Sequence, residues 1–163
     1  MNALTTCCQY LDRNHIQYGH WVHPPAFSAR EVAAAAEVPV HNVAKTVIYY
    51  ADNGYGMLLV PADSTIDFAE VLRLMGLTEI RLATEAELVE LFPDSEVGAM
   101  PPLGNSVQMP VLVDTSLAES ECIFFNAGTH QDVISVIFED FQRLVNPLVA
   151  HFAVPQKKGP TQH

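Results

Sequence analysis

Basic residues are scarce in this sequence. Eight lysines and arginines stand against 19 aspartates and glutamates in 163 residues, which gives a formal net charge of −11 at pH 7. A protein that binds nucleic acid without regard to sequence needs a broad basic surface, so this charge excludes that mode of binding. A nucleic-acid partner would have to be held by a small patch, by its shape or by an end group. Lys157 and Lys158 lie in the polar C-terminal segment, and Lys45 is the only other lysine.

Cysteines and long apolar runs are also few. Cys7, Cys8 and Cys122 are odd in number and include an adjacent pair, which predicts a reducing, cytoplasmic setting rather than a disulfide framework. We interpret Cys7 and Cys8 as packing residues of a first helix, in preference to a thiol nucleophile. No run approaches the ~20 apolar residues of a membrane-spanning helix, and the first residues carry no basic leader. We therefore expect neither a membrane span nor a signal peptide.

Motifs for phosphate, dinucleotide and acyl-enzyme chemistry are absent. The sequence contains no Gly-x-x-x-x-Gly-Lys-Ser/Thr loop, no Gly-x-Gly-x-x-Gly after a predicted strand and no Gly-x-Ser-x-Gly elbow. His20 and His23 are three residues apart in a predicted strand, which places them on opposite faces and makes them poor joint ligands. The sequence therefore predicts neither a cofactor nor a bound metal.

Apolar periodicity and capping residues predict helices and strands in irregular alternation. The predicted helices cover 3–14, 29–38, 68–75, 85–92 and 139–152, the last broken or ended near Pro147. The predicted strands cover 18–22, 79–83, 109–114, 121–127 and 132–138, with a β-hairpin over 43–63 that turns at Asn53-Gly54. The predicted helix caps are Ser28, Asp67, Thr84 and Gly76.

This order of elements predicts a single α+β domain. Helices interrupt the strands irregularly and two pairs of strands are hairpin-like, which favours a mixed sheet or a small barrel with flanking helices over a doubly wound parallel fold. We expect the domain to cover 1–154 and a flexible C-terminal tail to cover 155–163.

Lys45 is the first candidate for a functional residue. It shares one strand face with Val43, Val47 and Tyr49, and the opposite face is mostly apolar too, so we expect the strand to be covered on both sides. A solitary ammonium group there either reaches water at the strand edge or faces a cavity that favours a positive charge. The sequence leaves both alternatives open.

Two glycine-containing loops raise similar alternatives. The segment "GAMPPLG" is either a rigid turn or a stiff rim whose backbone N–H groups point at a ligand oxygen. In "FFNAGTH" an apolar strand ends in an amide, a glycine and an imidazole; Gly128 permits close backbone approach, and His130 is either a structural histidine or a hydrogen-bonding group of a site. Three unusual features in one small domain favour a shared pocket.

Taken in order, "HPPAFSAREVAAA", "VAKTVIYY", "LLVPAD", "GAMPPLG", "VLVD" and "FNAGTH" resemble the YbaK-type aminoacyl-tRNA deacylase family. That family is related to the editing domain inserted in bacterial prolyl-tRNA synthetases. The resemblance runs from about residue 20 to residue 145, and it implies a six-stranded mixed β-barrel with flanking helices that works without metal. It also implies hydrolysis of the ester that joins a wrong amino acid to tRNA, chiefly the tRNA for proline.

The same resemblance implies roles for particular residues. The pocket lysine of the family falls on Lys45, which we expect to be catalytic. The residues expected to bind substrate are His23, Gly98, Ala99, Met100, Pro101, Pro102, Gly128, Thr129 and His130. The expected partner is the acceptor end of an aminoacyl-tRNA, with a tRNA synthetase as a possible second partner and with no DNA and no membrane.

A second function class stays open at this point. The chain is either a free-standing trans-editing hydrolase or a non-catalytic module that captures an aminoacyl or tRNA end or docks on a synthetase. The acidic composition favours help from a partner, whereas the joint presence of Lys45, the Gly-Pro loop and His130 favours catalysis. The sequence leaves open which amino acid is removed, with alanine, serine, threonine and cysteine as the candidates, because a methylene changes binding in an apolar pocket by only ~1–3 kcal/mol.

Overall fold

The computed structural model describes residues 2–24, 29–52, 54–104 and 107–155, which form an α+β fold. Its helices are α1 (Ala3–Arg13), α2 (Ala29–Ala36), α3 (Phe68–Met75), α4 (Glu85–Leu91), α5 (Thr115–Ala118) and α6 (Phe138–Val145). Its strands are β1 (Tyr18–Val22), β2 (Ala44–Ala51), β3 (Gly54–Pro61), β4 (Ser64–Ile66), β5 (Ile80–Leu82), β6 (Val111–Asp114), β7 (Cys122–Asn126), β8 (Asp132–Ile137), β9 (Leu148–Ala150) and β10 (Ala153–Pro155). None of the described helices is long and apolar enough to span a bilayer.

The strands form three sheets rather than one barrel. A five-stranded mixed sheet has the order β5-β2-β3-β6-β9, an antiparallel sheet has the order β1-β8-β7, and β10 pairs with β4. The mixed α+β class is confirmed, but the six-stranded barrel that the resemblance implied is not. Ten strands are described, and the edge strands β5 and β9 of the five-stranded sheet do not pair with each other, so the sheet stays open.

The two larger sheets meet where β2 approaches β7. Val43 forms a parallel bridge with Phe124, just before β2 begins. Ala44 and Ile48 pack into the main core with β7 and β8, whereas Tyr49 and Ala51 pack into a second core under α3. The expectation that β2 is covered on both faces is therefore confirmed.

Helix caps explain several boundaries. Asp67 accepts a hydrogen bond from the N–H of Glu70 and begins α3, and Gly76 ends it with φ +63°. Thr84 and Glu87 form a capping box at the start of α4. These predictions are confirmed, whereas the predicted cap Ser28 lies outside the described residues, as does the tail from 156 onward.

One local prediction is wrong by one position: Gly54 already pairs with Ala51, so the hairpin turn lies between these two residues and not at Asn53-Gly54. Asp52 has φ +51°, and Asn53 lies outside the described residues. For the last helix, predicted to break or end near Pro147, the structure shows an end at Val145. The segment after it turns at Asn146, in a left-handed conformation, and forms β9 and β10.

Asp114 ties the C-terminal strands to the core. Its fully buried carboxylate accepts hydrogen bonds from the N–H groups of Ser116, Phe152 and Ala153 at 2.9, 2.8 and 2.7 Å. Burial raises the pKa of Asp114, but these bonds and the Ser116 hydroxyl outweigh burial, and the pKa lies below its ordinary value. The charged form therefore stabilises the fold.

We expect Asp114→Ala to lower the free energy of unfolding by about 2–4 kcal/mol, because it removes an N-cap and leaves buried N–H groups without an acceptor. Since the pKa is lower in the folded than in the unfolded chain, this stabilisation is present above the unfolded pKa and disappears as the pH falls through the folded pKa. Melting curves of both proteins between about pH 7 and pH 3 measure this. A stability difference that does not shrink in acid would contradict it.

Candidate functional site

Lys45 is the second residue of β2 and lies two positions after the bridge between Val43 and Phe124. It pairs with Val60 across the ladder, and its half-buried side chain donates from Nζ to the carbonyl oxygen of Ser64 at 2.9 Å. This acceptor is at the start of β4 and belongs to neither of the two glycine-containing loops.

The two glycine-containing loops are in direct contact. The turn Gly128–His130 joins β7 to β8, and the segment 96–102 lies beside it. The N–H of Gly128 donates to the carbonyl of Ala99 at 2.7 Å, and the N–H of Glu96 donates to the carbonyl of Gly128 at 2.8 Å. The Nε2–H of His130 donates to the carbonyl of Val97 at 2.8 Å. The predicted proximity of these two loops is therefore what the structure shows.

Glu96 is the connecting residue that the sequence did not single out. Besides its backbone bond to Gly128, its carboxylate accepts the N–H of His130 at 2.6 Å. Its carbonyl accepts the N–H of Ala99 at 3.0 Å. The only sequence signal is an acidic residue two positions before Gly98, and 34 residues separate it from its partner His130.

The Gly98–Pro102 loop offers few backbone donors. Pro101 and Pro102 have no N–H, and that of Ala99 is already bonded to Glu96. The N–H of Gly98 meets the thioether sulfur of Met100 at 3.3 Å, and sulfur is a weak acceptor that a better one can displace. Gly98 has φ +88°, a conformation that favours glycine. Its N–H is therefore a candidate donor to a ligand oxygen.

The hydroxyl of Thr129 forms hydrogen bonds within its own turn. It accepts the N–H groups of Gln131 and Asp132 at 3.1 and 3.0 Å and donates to the carboxylate of Asp132 at 2.6 Å. A side chain with these bonds shapes the turn, so any contact of Thr129 with substrate involves its backbone.

His23 directly follows β1 and bonds to Gln131, next to the same turn. Its N–H donates to the carbonyl of Gln131 at 2.9 Å, and its Nδ1–H donates to the carbonyl of Pro24 at 2.6 Å. The ring is 8 % exposed, and its buried Nε2 has no hydrogen-bond partner among the described residues. Because Nδ1 carries the proton, Nε2 of the neutral ring is an acceptor.

The strand register relates Lys45 to this cluster. Val43 and Phe124 form a parallel bridge, so β2 and β7 run in the same direction from it. Lys45 lies two residues after Val43 and Asn126 two residues after Phe124. Because side chains alternate along a strand, Lys45 shares a face with Val43, and Asn126 shares a face with Phe124. Gly128 follows two residues after Asn126. The strand register therefore places Lys45 and the turn Gly128–His130 at the same end of the β2–β7 junction.

Cys7 lies outside this cluster and lacks the properties of a nucleophile. Cys7 is buried at the floor of a cavity of about 410 Å³ between α1 and the segment after α4, whose wall includes Phe92 and Leu103. Burial, together with the neighbouring Cys8, raises the pKa of Cys7 to about 12. The thiolate is the nucleophilic form, so this thiol is unreactive at neutral pH.

Within the part of the chain that the structure describes, no three His, Cys, Asp or Glu side chains are grouped closely enough to hold a metal ion. His20 and His23 have separate partners: the ring of His20 bonds to Asp132 at 2.7 Å, whereas His23 bonds to Pro24. The prediction that these two histidines are not joint ligands is consistent with this geometry.

Comparison with models of protein families shows which family the chain belongs to. The model of the aminoacyl-tRNA editing domain matches residues 23–144, a range that contains Lys45 and both loops. The chain belongs to the aminoacyl-tRNA editing domain family. The resemblance drawn from the ordered motifs is thereby confirmed.

The relatives of this editing domain include parts of synthetases. The chain is 28 % identical over 115 residues to the proline–tRNA ligase of Polynucleobacter necessarius subsp. necessarius, a match that covers 66 % of this chain and 20 % of the ligase. A match of 32 % identity over 94 residues to the proline–tRNA ligase of Nitratidesulfovibrio vulgaris covers 58 % and 16 %. The editing domain thus spans about a fifth of the length of the first of these ligases.

Solved structures share its fold. The structure of the hypothetical protein APE2540 superposes with a TM-score of 0.82 at 20 % identity and covers 90 % of this chain and 98 % of that one. A candidate trans-editing enzyme for prolyl tRNA synthetase superposes with a TM-score of 0.80 at 23 % identity and covers 98 % and 99 %.

Gly128 provides a stability test of the loop geometry. It has φ +96°, and a Cβ atom there would lie 2.5 Å from the Cβ of Ala3 on α1. We expect Gly128→Ala to lower the free energy of unfolding by about 2–3 kcal/mol, because it adds a strained conformation to a steric overlap. The matched control is Gly54→Ala, where a Cβ meets nothing within 4 Å. Chemical denaturation of both variants measures the effect, and equal stabilities would contradict the described packing.

Proposed function

We propose that this chain hydrolyses the ester of mischarged aminoacyl-tRNA in trans. The observation that carries the proposal is the family match over residues 23–144, because it spans Lys45 and the two hydrogen-bonded loops. We propose tRNA for proline as the substrate nucleic acid, since the curated relatives are proline–tRNA ligases and a structural relative is described as a candidate trans-editing enzyme for prolyl tRNA synthetase. The amino acid removed is proposed to be small.

The proposed reaction is attack of water on the ester carbonyl carbon. The oxygen of water bonds to the carbonyl carbon, the tetrahedral intermediate then expels the ribose oxygen, and the proton from water passes to that oxygen, which leaves a free amino acid and an uncharged tRNA end. From the family resemblance, we propose that the neighbouring ribose hydroxyl helps to activate the water. The chain then has to stabilise the negative charge that develops on the carbonyl oxygen.

Two groups suit that task. The N–H of Gly98 is held only by a thioether, so a carbonyl oxygen that becomes negative is a better acceptor than its present partner. The Lys45 ammonium group supplies positive charge at the same end of the β2–β7 junction. Gly128, His130 and His23 are proposed to form the walls that receive the aminoacyl group.

The net charge limits how tRNA is captured. At −11 the chain offers little general attraction for phosphates, so we propose recognition of the acceptor end alone, aided by a synthetase that holds the rest of the tRNA. We place this activity in the cytoplasm.

The proposal is tested with a panel of tRNAs charged with alanine, serine, threonine, cysteine and the cognate proline, by measuring the released amino acid under single-turnover conditions. Release of at least one small amino acid well above the buffer rate, with proline retained, supports editing. If every ester decays at the buffer rate while the protein still binds the charged end, the chain is a binding module instead.

Lys45→Ala is expected to slow deacylation by about 10²–10³, the usual effect of removing one stabilising group from a developing oxyanion. It also removes the bond to the Ser64 carbonyl, so we expect a modest loss of stability of about 1–3 kcal/mol rather than a gain. Rates and melting temperatures are measured on the same preparation. The control is Arg73→Ala, an exposed cation paired with Glu70 on α3. Near wild-type deacylation by folded Lys45→Ala would remove Lys45 from the mechanism.

We expect EDTA to leave deacylation unchanged, since the proposed chemistry uses only hydrogen-bond donors, an ammonium group and water. The measurement is the single-turnover rate before and after dialysis against chelator. Loss of activity that one divalent ion restores would show that the site requires a metal.

A further inference from the structure

The residue Asp132, at the start of β8, lies outside the set that the family resemblance assigned to the site. It is 9 % exposed, and its two carboxylate oxygens bond to two different elements. One oxygen accepts the hydroxyl of Thr129 in the turn at 2.6 Å, and the other accepts the ring N–H of His20 on β1 at 2.7 Å. Asp132 therefore links the turn to a strand that does not otherwise bond to Thr129.

The backbone of Asp132 reinforces the same turn. Its N–H donates to the hydroxyl of Thr129 at 3.0 Å, and its carbonyl accepts the N–H of Ala127 at 3.1 Å. Thr129 stands between Gly128 and His130, so these bonds fix the two residues proposed to line the aminoacyl slot. Glu96 also bonds to the turn, through its N–H to the carbonyl of Gly128 and through its carboxylate to the N–H of His130. Two carboxylates from different parts of the chain therefore hold the turn.

We propose that Asp132 is a positioning residue for aminoacyl selection, acting through Thr129 and anchored by His20. The inference rests on the proposed deacylase function. A displacement of about 1 Å at a site can change a rate by about 10²-fold, and a pocket that distinguishes small side chains depends on where its wall stands. Without the carboxylate, the Thr129 hydroxyl loses its acceptor, and the turn that carries Gly128 and His130 keeps the carboxylate bond from Glu96 but loses the one from Asp132.

The test compares Asp132→Ala with Asp114→Ala. Both replace a buried, multiply hydrogen-bonded carboxylate, but Asp114 holds the C-terminal strands and has no bond to the turn. For each variant, kcat/KM is measured for every member of the mischarged tRNA panel below the melting temperature. We expect Asp132→Ala to lower kcat/KM for the preferred substrate by about 10–100-fold and to change the ranking of amino acids. Asp114→Ala is expected to lose stability while the ranking is retained.

A second pair of variants keeps the test decisive if Asp132→Ala does not fold. Thr129→Val replaces the hydroxyl with a methyl group and is expected to change the ranking of amino acids in the same direction as Asp132→Ala. Thr129→Ser keeps the hydroxyl and is expected to keep the wild-type ranking. An unchanged ranking in folded Asp132→Ala, or in Thr129→Val, would overturn the inference. Failure of the wild-type protein to release any amino acid would instead overturn the proposed function, so the two failures are distinguishable.

Discussion

Four hydrogen bonds between the segment 96–99 and the turn Gly128–His130 hold the candidate site together. They join two loops that belong to different parts of the chain and have no sheet ladder in common. Neither loop has enough regular structure to fix its own shape: one contains two prolines, and both contain a glycine with positive φ. The sheets set where the loops start, and these bonds set how the loops face each other. Lys45, two residues after the bridge between β2 and β7, is the cation proposed to act together with these loops.

Strong local signals made most of the fold predictable. The capping residues Asp67 and Thr84 located α3 and α4, and short apolar runs located β7 and β8, because these patterns act within a few residues of chain. The short strands were not predictable. Strands of three residues such as β4, β9 and β10 carry no periodicity of their own, and only the partner across the ladder defines them. For the same reason the sequence indicated that the last helix breaks or ends near Pro147 but did not indicate the strand β9 that follows it.

The site was predictable in its residue types and not in its contacts. Lys45, the Gly-Pro loop and His130 stood out because a lone lysine, paired prolines and a glycine-histidine turn are unusual within apolar surroundings. Their partners did not stand out: Lys45 bonds to a backbone carbonyl, which every residue possesses, and Glu96 reaches across 34 residues of sequence. Contacts of this kind arise from tertiary packing, which no local pattern encodes.

The central claim is that the two loops and Lys45 form one substrate site. The most direct measurement is the change in backbone amide NMR signals when a non-hydrolysable analogue is added, an alanyl group joined by an amide to 3′-amino-3′-deoxyadenosine. The account predicts saturable shifts concentrated at Gly98, Gly128 and His130, and their loss in Lys45→Ala. Shifts concentrated instead at Cys7 and Leu103, around the separate cavity beside α1, would contradict it.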